Sequence, residues 1–253
     1  MREVLLSARG VKKEFPGRRE KELVLKSIDL DIYEGDFTVI MGSSGAGKST
    51  LLYALSGMDS ITGGSVLYRG EEISRYKERQ LAALRSREFG FVFQQTHLVS
   101  NLSLFENVAV AGYLNAGQDT RAVRKRAEEL LERMCMAEAK DRFPSEVSGG
   151  EAQRAAIARA IINNPGLLFA DEPTGALNRR NSEEVLDLLT DLNKSGQSIL
   201  MVTHDIRAAI RGTRILYLED GKIPDEITFP AFREPDAKNR EKSLSEWLGA
   251  LSW

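Results

Sequence analysis

The stretch FTVIMGSSGAGKST, residues 37–50, decides the fold class of this chain. It begins as a short apolar strand, turns through three glycines and continues into the start of a helix. Glycine permits the backbone angles that turn successive N–H groups inward around a phosphate, and the lysine and serine that follow suit phosphate and Mg²⁺. An accidental Gly/Ser turn is the alternative, but the flanking strand and helix favour a phosphate-binding loop in an α/β fold.

Composition and charge limit the functions to consider. The chain has 253 residues, and its 42% hydrophobic and 28% charged content is ordinary for a globular protein with a sizeable core. A formal net charge of −2 argues against a nucleic-acid binder that relies on a global positive field, so no nucleic-acid partner is expected. No apolar run approaches the roughly 18–20 residues that span a bilayer. We therefore expect a cytosolic chain that reaches a membrane only through another protein.

Downstream apolar runs predict the rest of the sheet. Four further strands are expected: FGFVFQ (89–94), LLFADE (167–172), SILMVTHD (198–205) and RILYLEDGKI (214–223). Their nearly continuous apolar character suits a parallel sheet covered on both faces. Between residues 95 and 163 the 3.6-residue period dominates, which predicts a helical lobe inserted into the α/β core. Within that lobe Cys135 lies at helical spacing, so we expect a buried thiol.

A second anion site is predicted at VSGGEAQRAAIARA, residues 147–160. Ser148, Gly149 and Gly150 open a helix whose first turn presents backbone N–H groups and a hydroxyl. Two carboxylates end the run LLFADE, and they suit the chemistry of a bound nucleotide. Asp171 fits the shell of a magnesium ion, and Glu172 is placed to polarise an attacking water.

Taken in order, these motifs resemble those of the ATP-binding subunit of an ABC transporter, over about residues 3–225. GSSGAGKST matches Walker A, VSGGE the signature motif, LLFADEP Walker B and ALN the D-loop. Phe15 matches the aromatic A-loop position, Gln94 the Q-loop and His204 the H-loop. The resemblance implies a P-loop NTPase (ABC ATPase) core with a mainly parallel sheet, an N-terminal antiparallel β portion and an inserted helical subdomain. It also implies one ATP-binding domain over residues 1–228.

The resemblance implies ATP and Mg²⁺ as ligands and assigns residues to each. Glu172, His204 and Gln94 would be catalytic, and Ser49, Gln94 and Asp171 would hold the metal ion. The nucleotide would be bound by the aromatic residue, the phosphate-binding loop and the signature motif, namely Phe15, Gly42, Ser43, Ser44, Gly45, Ala46, Gly47, Lys48, Ser49, Thr50, Ser148, Gly149, Gly150 and Glu151.

The partners follow from the same resemblance. In this family two subunits pair head to tail, so that the signature loop of one closes on the ATP held by the other, which would explain two phosphate sites in one chain. The stretches EFGFVFQQTHLVSNLSLFENV and EPTGALN look like the group of lipoprotein-releasing, macrolide-export and bacitracin-type peptide-resistance ATPases. We therefore expect a second copy of the chain and an integral-membrane permease of MacB/FtsX type, at the cytoplasmic face of the cell membrane. A regulatory ABC ATPase of a cell-division or signalling complex and a soluble non-transport ABC ATPase stay open, as does the cargo.

Several positions depart from the family pattern. Glu151 stands where glutamine is commonest, and Asn178 ends the D-loop where aspartate is expected. Asparagine keeps a hydrogen-bonding oxygen but loses the charge, so the effect of this residue on the subunit interface stays open. The apolar residues after Gln94 would border a groove for a permease helix, and packing in the core of the lobe is the alternative for each of them: Leu98, Val99, Leu102, Leu104 and Phe105.

Two helix starts are predicted from capping boxes. Asn181 with Glu184 would open a helix that ends at Gly196, and Ser243 with Glu246 would open a short amphipathic helix in the tail 229–253. A helix of that length is marginal alone in water, so the tail must dock or fray. Docking on the chain's own core is the preferred interpretation, and contact with a second subunit or a permease is the alternative.

Overall fold

The computed structural model describes residues 3–17, 22–115 and 117–251. The chain forms two compact units, Met1–Leu81 with Asn193–Trp253, and Ala82–Leu192. We call them the first and the second unit. The predicted domain limits, 1–228 with a lobe at 95–163 and a tail at 229–253, remain predictions, and Ser252 and Trp253 of that tail lie outside the described residues.

Strands and helices alternate along most of the chain. The strands are β1 (Val4–Phe15), β2 (Glu22–Tyr33), β3 (Phe37–Met41), β4 (Gly63–Tyr68), β5 (Glu71–Glu72), β6 (Phe89–Phe93), β7 (Leu167–Asp171), β8 (Ser198–Val202), β9 (Arg214–Glu219) and β10 (Lys222–Thr228). The α-helices are α1 (Lys48–Leu55), α2 (Glu78–Glu88), α3 (Leu104–Tyr113), α4 (Thr120–Arg133), α5 (Gly149–Ile161), α6 (Arg179–Lys194), α7 (Ile206–Ala209) and α8 (Ala237–Ala250). Short 3₁₀ turns lie at Ile73–Arg75, Ala137–Ala139, Pro144–Glu146 and Glu234–Asp236.

The first unit contains two kinds of sheet. Strands β2, β1, β4 and β5 pair antiparallel in that order, which is the predicted N-terminal antiparallel portion. Strand β3 pairs in parallel with both β8 and β9, and β10 adds antiparallel to β9. Every residue of β3 and β8 is buried, as expected of parallel strands covered on both faces.

The second unit combines a parallel strand pair with helices. Strands β6 and β7 pair in register from Phe89 opposite Leu167 to Phe93 opposite Asp171. Helices α3 and α4 pack on each other and on α5, around apolar residues such as Val108 and Leu131. Between residues 95 and 163 the described part of the chain contains helices and turns and no strand. Of the residues after Gln94, Leu104 and Phe105 are buried, Leu98 and Leu102 are half-buried and Val99 is exposed.

The predictions for the strand 214–223 and for the thiol of Cys135 were wrong. The run 214–223 is not one strand, because Asp220 and Gly221 both have positive φ, 47° and 71°, and turn the chain into the hairpin of β9 and β10. An Asp-Gly pair between apolar runs is a strong hairpin signal that the sequence analysis missed. Cys135 is exposed rather than buried, because α4 ends at Arg133 and the helical period no longer applies.

Both predicted capping boxes were also wrong. Helix α6 begins at Arg179, and its cap is Asn178, whose Oδ1 accepts a hydrogen bond of 3.0 Å from the Asn181 N–H. Helix α8 begins at Ala237, two turns before the predicted start, because the 3₁₀ turn at Glu234–Asp236 runs directly into it. The predicted N-cap Ser243 therefore lies inside α8.

Candidate active site

The phosphate-binding loop, residues 42–50, joins β3 to α1 in the first unit. A Cβ atom on Gly42 would lie 2.2 Å from the carbonyl oxygen of Leu218 in β9, so this position accepts no side chain. Gly47 is the N-cap of α1 and has a φ of 100°, which L-residues with a side chain rarely adopt. Glycine is therefore required at both ends of the loop.

The same loop has the chemistry of an anion site. Lys48 donates hydrogen bonds from Nζ to the carbonyl oxygens of Gly42 (2.8 Å) and Ser43 (2.9 Å), so its ammonium group lies over the loop. The Ser43, Ser44 and Gly45 side of the loop is exposed. A helix N-terminus that follows such a turn favours negative charge, because the N–H groups of the first turn and the helix dipole are directed at it.

Phe15 is the last residue of β1 and is 37% exposed. The Lys13 Nζ lies 4.9 Å from the centroid of its ring. Lys13 is itself buried, and it is held by Asp59 Oδ1 and the Ser60 carbonyl oxygen, each at 2.6 Å. Lys13 was not predicted from the sequence, although its spacing of two residues from Phe15 on a strand places both side chains on one face.

His204 follows β8 and is exposed. Its neighbours are fixed on both sides: the Thr203 N–H donates to the Ile40 carbonyl oxygen (3.1 Å), and the Asp205 N–H donates to Thr203 Oγ1 (3.0 Å). Strand β8 is paired in parallel with β3, with Val202 opposite Ile40. The phosphate-binding loop and His204 therefore both follow the carboxyl ends of neighbouring parallel strands, where ligands bind in α/β sheets.

In the second unit, two carboxylates lie at the end of β7. Asp171 is the last residue of the strand, and Glu172 follows it with a φ of 46°. A left-handed conformation is uncommon for a residue other than glycine, and such strained positions cluster at functional sites. The Gly175 N–H donates a hydrogen bond of 3.0 Å to the Glu172 carbonyl oxygen and closes the turn. Sequence patterns gave no sign of this backbone conformation.

Gln94 lies beside these carboxylates. It follows β6, and because Phe93 is opposite Asp171 in the parallel pair, Gln94 and Glu172 continue from neighbouring strand ends. A Cβ atom on Gly175 would lie 2.9 Å from Gln94 Nε2, so this glycine leaves room for the amide. The structure therefore places Gln94, Asp171 and Glu172 at one edge of the second unit and adds Gly175, while the roles of the three side chains remain predictions.

The signature loop, residues 147–151, opens α5 with a capping box. The Ser148 hydroxyl accepts from the Glu151 N–H (3.3 Å) and donates to Glu151 Oε2 (2.7 Å), and the Ser148 N–H also donates to Oε2 (2.8 Å). The two hydrogen bonds that Ser148 donates lower the pKa of the Glu151 carboxyl below its ordinary value. Ser148 and Gly149 are exposed, whereas Gly150 is buried, where a Cβ atom would lie 2.6 Å from Asn181 Cγ.

Two further polar residues of α5 hold the segment around Gln94. Arg159 donates to the carbonyl oxygens of Thr96 and His97, each at 2.7 Å, and burial lowers the pKa of its guanidinium group. The buried Gln153 donates to the Phe93 carbonyl oxygen. Neither residue was predicted from the sequence, because a polar residue on a helix has the pattern of a solvent-exposed residue unless its hydrogen-bond partner is known.

Comparison with known proteins identifies this arrangement. A profile of the ABC transporter family matches residues 25–175. A lipoprotein-releasing system ATP-binding protein, LolD, from Aquifex aeolicus is 43% identical over 88% of this chain and 98% of its own. The chain belongs to the ABC transporter family. Its resemblance to ABC ATPases is thereby confirmed.

Two further comparisons define the relationship. The macrolide export ATP-binding/permease protein MacB of Rhodopseudomonas palustris is 42% identical over 93% of this chain, but the chain spans only 36% of that relative's length. A solved ATP-binding cassette, dimeric and in a post-hydrolysis state bound to ADP and Pi, has a TM-score of 0.83 and 36% identity, covering 90% of this chain and all of that one. The predicted P-loop NTPase fold and the ATPase class are confirmed.

The ABC motifs fall into two groups in the structure. The A-loop residue Phe15, the Walker A loop and the H-loop residue His204 belong to the first unit, and the Q-loop, the signature motif and Walker B belong to the second. Over the described ranges 3–17, 22–115 and 117–251, no helix is both long and apolar enough to cross a membrane.

The donor groups suit Mg²⁺ bound together with phosphates. In the first unit Ser49 offers a hydroxyl, and in the second unit Gln94 and Asp171 offer an amide and a carboxylate; each is an oxygen ligand of the kind that this hard cation prefers. Within the described residues no group of three or more His, Cys, Asp or Glu side chains could hold a metal ion.

Proposed function

We propose that this chain is the ATP-binding and ATP-hydrolysing subunit of a transporter of the MacB and lipoprotein-releasing type. The observation that carries the proposal is the phosphate-binding loop, where backbone of β9 approaches Gly42 so closely that only glycine fits. Around this loop the chain has the residues that nucleotide binding requires. Lys48 would contact the β- and γ-phosphates, Ser49 would hold Mg²⁺, and Phe15 would stack on adenine through its exposed ring.

Hydrolysis is proposed to depend on three side chains. Glu172 would take the proton of the attacking water, because its carboxylate directly follows the metal-side Asp171. His204 would donate a hydrogen bond to the γ-phosphate from the end of β8, and Gln94 would orient the water and the metal shell. The bound metal ion supplies charge neutralisation at the phosphates.

The functional unit is proposed to be a dimer of this chain that encloses two ATP molecules. Ser148 and Gly149 are exposed at the N-terminus of α5, a helix of 13 residues whose positive end suits the γ-phosphate on a second copy. The dimeric state of the similar solved cassette supports this assembly. One chain alone would then be a poor ATPase, because each site would lack the signature loop of its partner.

We further propose that a MacB/FtsX-type permease attaches the dimer to the cytoplasmic face of the cell membrane. LolD of Aquifex aeolicus has the ATP-binding portion as a chain of similar length, whereas the MacB relative has about two thirds of its length beyond the matched region. The segment after Gln94, in which Val99 is exposed, is the proposed contact with the permease. Peptides, lipoproteins and drugs are the proposed class of cargo.

Replacing Glu172 with glutamine tests this function. Glu172→Gln should keep ATP binding, slow hydrolysis by roughly 10²–10⁴-fold and give an ATP-dependent dimer in size-exclusion chromatography. The matched control is Glu183→Gln, because Glu183 is exposed on α6, where it forms an ion pair of 3.2 Å with Arg179 one turn earlier. Near-normal turnover of Glu172→Gln would reject the proposed role, and a monomer at saturating ATP would reject the dimer.

A further inference from the structure

Helix α8 docks on the first unit through both apolar and polar contacts. Leu244 and Leu248 are fully buried, and Trp247 donates from Nε1 to Asp225 Oδ2 at 2.9 Å. The Trp247 ring also meets the ring of Tyr217 edge-on, with centroids 6.3 Å apart. The tail therefore packs on the chain's own core.

Arg240 on α8 is buried to an unusual degree for an arginine, with only 4% of its surface exposed. Its Nη1 donates to the carbonyl oxygens of Ile210 (2.5 Å) and Gly212 (3.2 Å), and Nη2 donates to the carbonyl oxygen of Pro230. The guanidinium carbon lies 5.0 Å from the ring centroid of Phe229. The planar guanidinium group thus donates hydrogen bonds to three carbonyl oxygens from two nitrogen atoms, whereas a lysine has only one nitrogen atom at the end of its side chain.

One of those carbonyl groups, that of Ile210, lies at the end of the short helix α7, and Gly212 follows two residues later. This helix has only four residues, Ile206–Ala209, and its C-cap is Ile210. Arg240 therefore places a positive charge at the C-terminal end of α7 and donates to the Ile210 carbonyl group, which has no partner inside the helix. A single helical turn has no appreciable stability of its own, so its position depends on the burial of Ala208 and Ala209 and on the contacts at its two ends.

The other end of α7 begins next to His204. Asp205 is the N-cap of the helix, and its Oδ1 accepts a hydrogen bond of 2.9 Å from the Arg207 N–H. The backbone from His204 to the carbonyl group bound by Arg240 is thus one helical turn.

We propose that Arg240 is a positioning residue for His204, which makes the C-terminal helix part of the machinery that sets the rate of hydrolysis. The proposal rests on the role of His204 in the proposed function. Arg240 acts through α7: it holds the carbonyl end of the helix, and the helix holds the loop that presents the imidazole. If the tail only stabilised the fold, substitutions at residue 240 would change neither the position of the His204 imidazole nor kcat.

The test compares Arg240→Met with Arg240→Lys and with Trp247→Phe. Arg240→Met removes all donors at similar length, and Arg240→Lys restores a charge and one set of donors. Trp247→Phe removes the indole hydrogen bond to Asp225, a residue that is not part of α7. We expect Arg240→Met to lower kcat about 10-fold with an unchanged KM for ATP, as a small misplacement of a catalytic group does. Arg240→Lys should recover part of kcat, and Trp247→Phe should lower Tm without changing kcat.

NMR spectroscopy provides a second measurement, which detects changes around the His204 imidazole independently of ATP hydrolysis. The chain has two histidines, so the imidazole signals in NMR spectra can be assigned with one His97→Asn variant. Arg240→Met should shift the His204 signals and leave those of His97 unchanged, whereas Trp247→Phe should shift neither. Unchanged His204 signals and kcat in a folded Arg240→Met protein would overturn the proposal. If Arg240→Met does not fold, Arg240→Lys decides by the same criteria.

The outcome for His204→Ala separates this proposal from the proposed function. Normal hydrolysis by His204→Ala would reject the catalytic role of His204, whatever residue 240 does. Impaired hydrolysis by His204→Ala, together with wild-type kcat and wild-type His204 signals in Arg240→Met, would reject the Arg240 proposal alone.

Discussion

Gln153 donates a hydrogen bond of 3.0 Å from its side-chain amide to the carbonyl oxygen of Phe93. Gln153 lies in the first half of α5, the helix that the signature loop opens, and Phe93 is the last residue of β6 before Gln94. The bond therefore joins the signature helix to the backbone that presents the Q-loop amide. Because Gln153 is only 1% exposed, no water can replace this contact without a change in packing.

Gln153→Met should slow hydrolysis more than it weakens ATP binding. The substitution removes the side-chain donor to the part-buried Phe93 carbonyl group, at a cost of about 1 kcal/mol, and loosens the strand end that precedes Gln94. Steady-state ATPase assays and nucleotide titration would measure the two effects. Gln118→Met, at an exposed glutamine, is the control. A Gln153→Met protein with lower Tm and wild-type kcat would show that the bond is structural only.

Gly175→Ala should impair catalysis by displacing Gln94. The new methyl group would lie 2.9 Å from Gln94 Nε2, closer than real Cβ contacts allow, so the amide must move away. The end of a side chain is flexible, so we expect the fold to survive and kcat to fall by roughly 10-fold. Ala176→Ser, at the exposed neighbour, should have wild-type kcat. Equal rates for the two variants would contradict the contact between Gly175 and Gln94.

Ser148→Arg should abolish the ATP-dependent dimer and ATPase activity while the monomer keeps its affinity for ATP. The bulky side chain would fill the exposed surface in front of α5, where the nucleotide of a second copy is proposed to bind. Sedimentation analysis with ATP and nucleotide titration at low protein concentration would separate these effects. Ser145→Arg, three residues earlier and also exposed, adds the same charge as a control. Loss of ATP binding in the monomeric variant would mean that the loop belongs to the site of its own chain.

The pH dependence of stability should change in Glu151→Gln. The native pKa of Glu151 lies below the ordinary value of 4.5, so its ionised capping interaction stabilises the fold above that value and is lost as pH falls through the lowered native pKa. Glutamine does not titrate, and the variant should therefore show a smaller loss of Tm between about pH 5 and pH 3. Because Glu151 is close to the surface, the difference should be small and should decrease at high salt. Parallel Tm curves for both proteins would contradict the shift.

Much of the site was readable from sequence because its signals are local. The Walker A glycines, the two carboxylates after an apolar run and the serine that opens α5 each depend on residues within a few positions of one another. Such patterns constrain backbone angles and strand or helix ends directly. The Asp220–Gly221 hairpin and the Asn178 cap have equally local signals, which the sequence analysis misread.

The tertiary structure decided the contacts between distant segments. The approach of Leu218 to Gly42, the bond from Gln153 to Phe93 and the burial of Arg240 against the end of α7 join residues that are far apart in the sequence. In the sequence, a glutamine or arginine on a helix has the same pattern whether it faces water or a carbonyl group. Only packing removes the water and supplies the partner, and this makes such a polar residue part of the site.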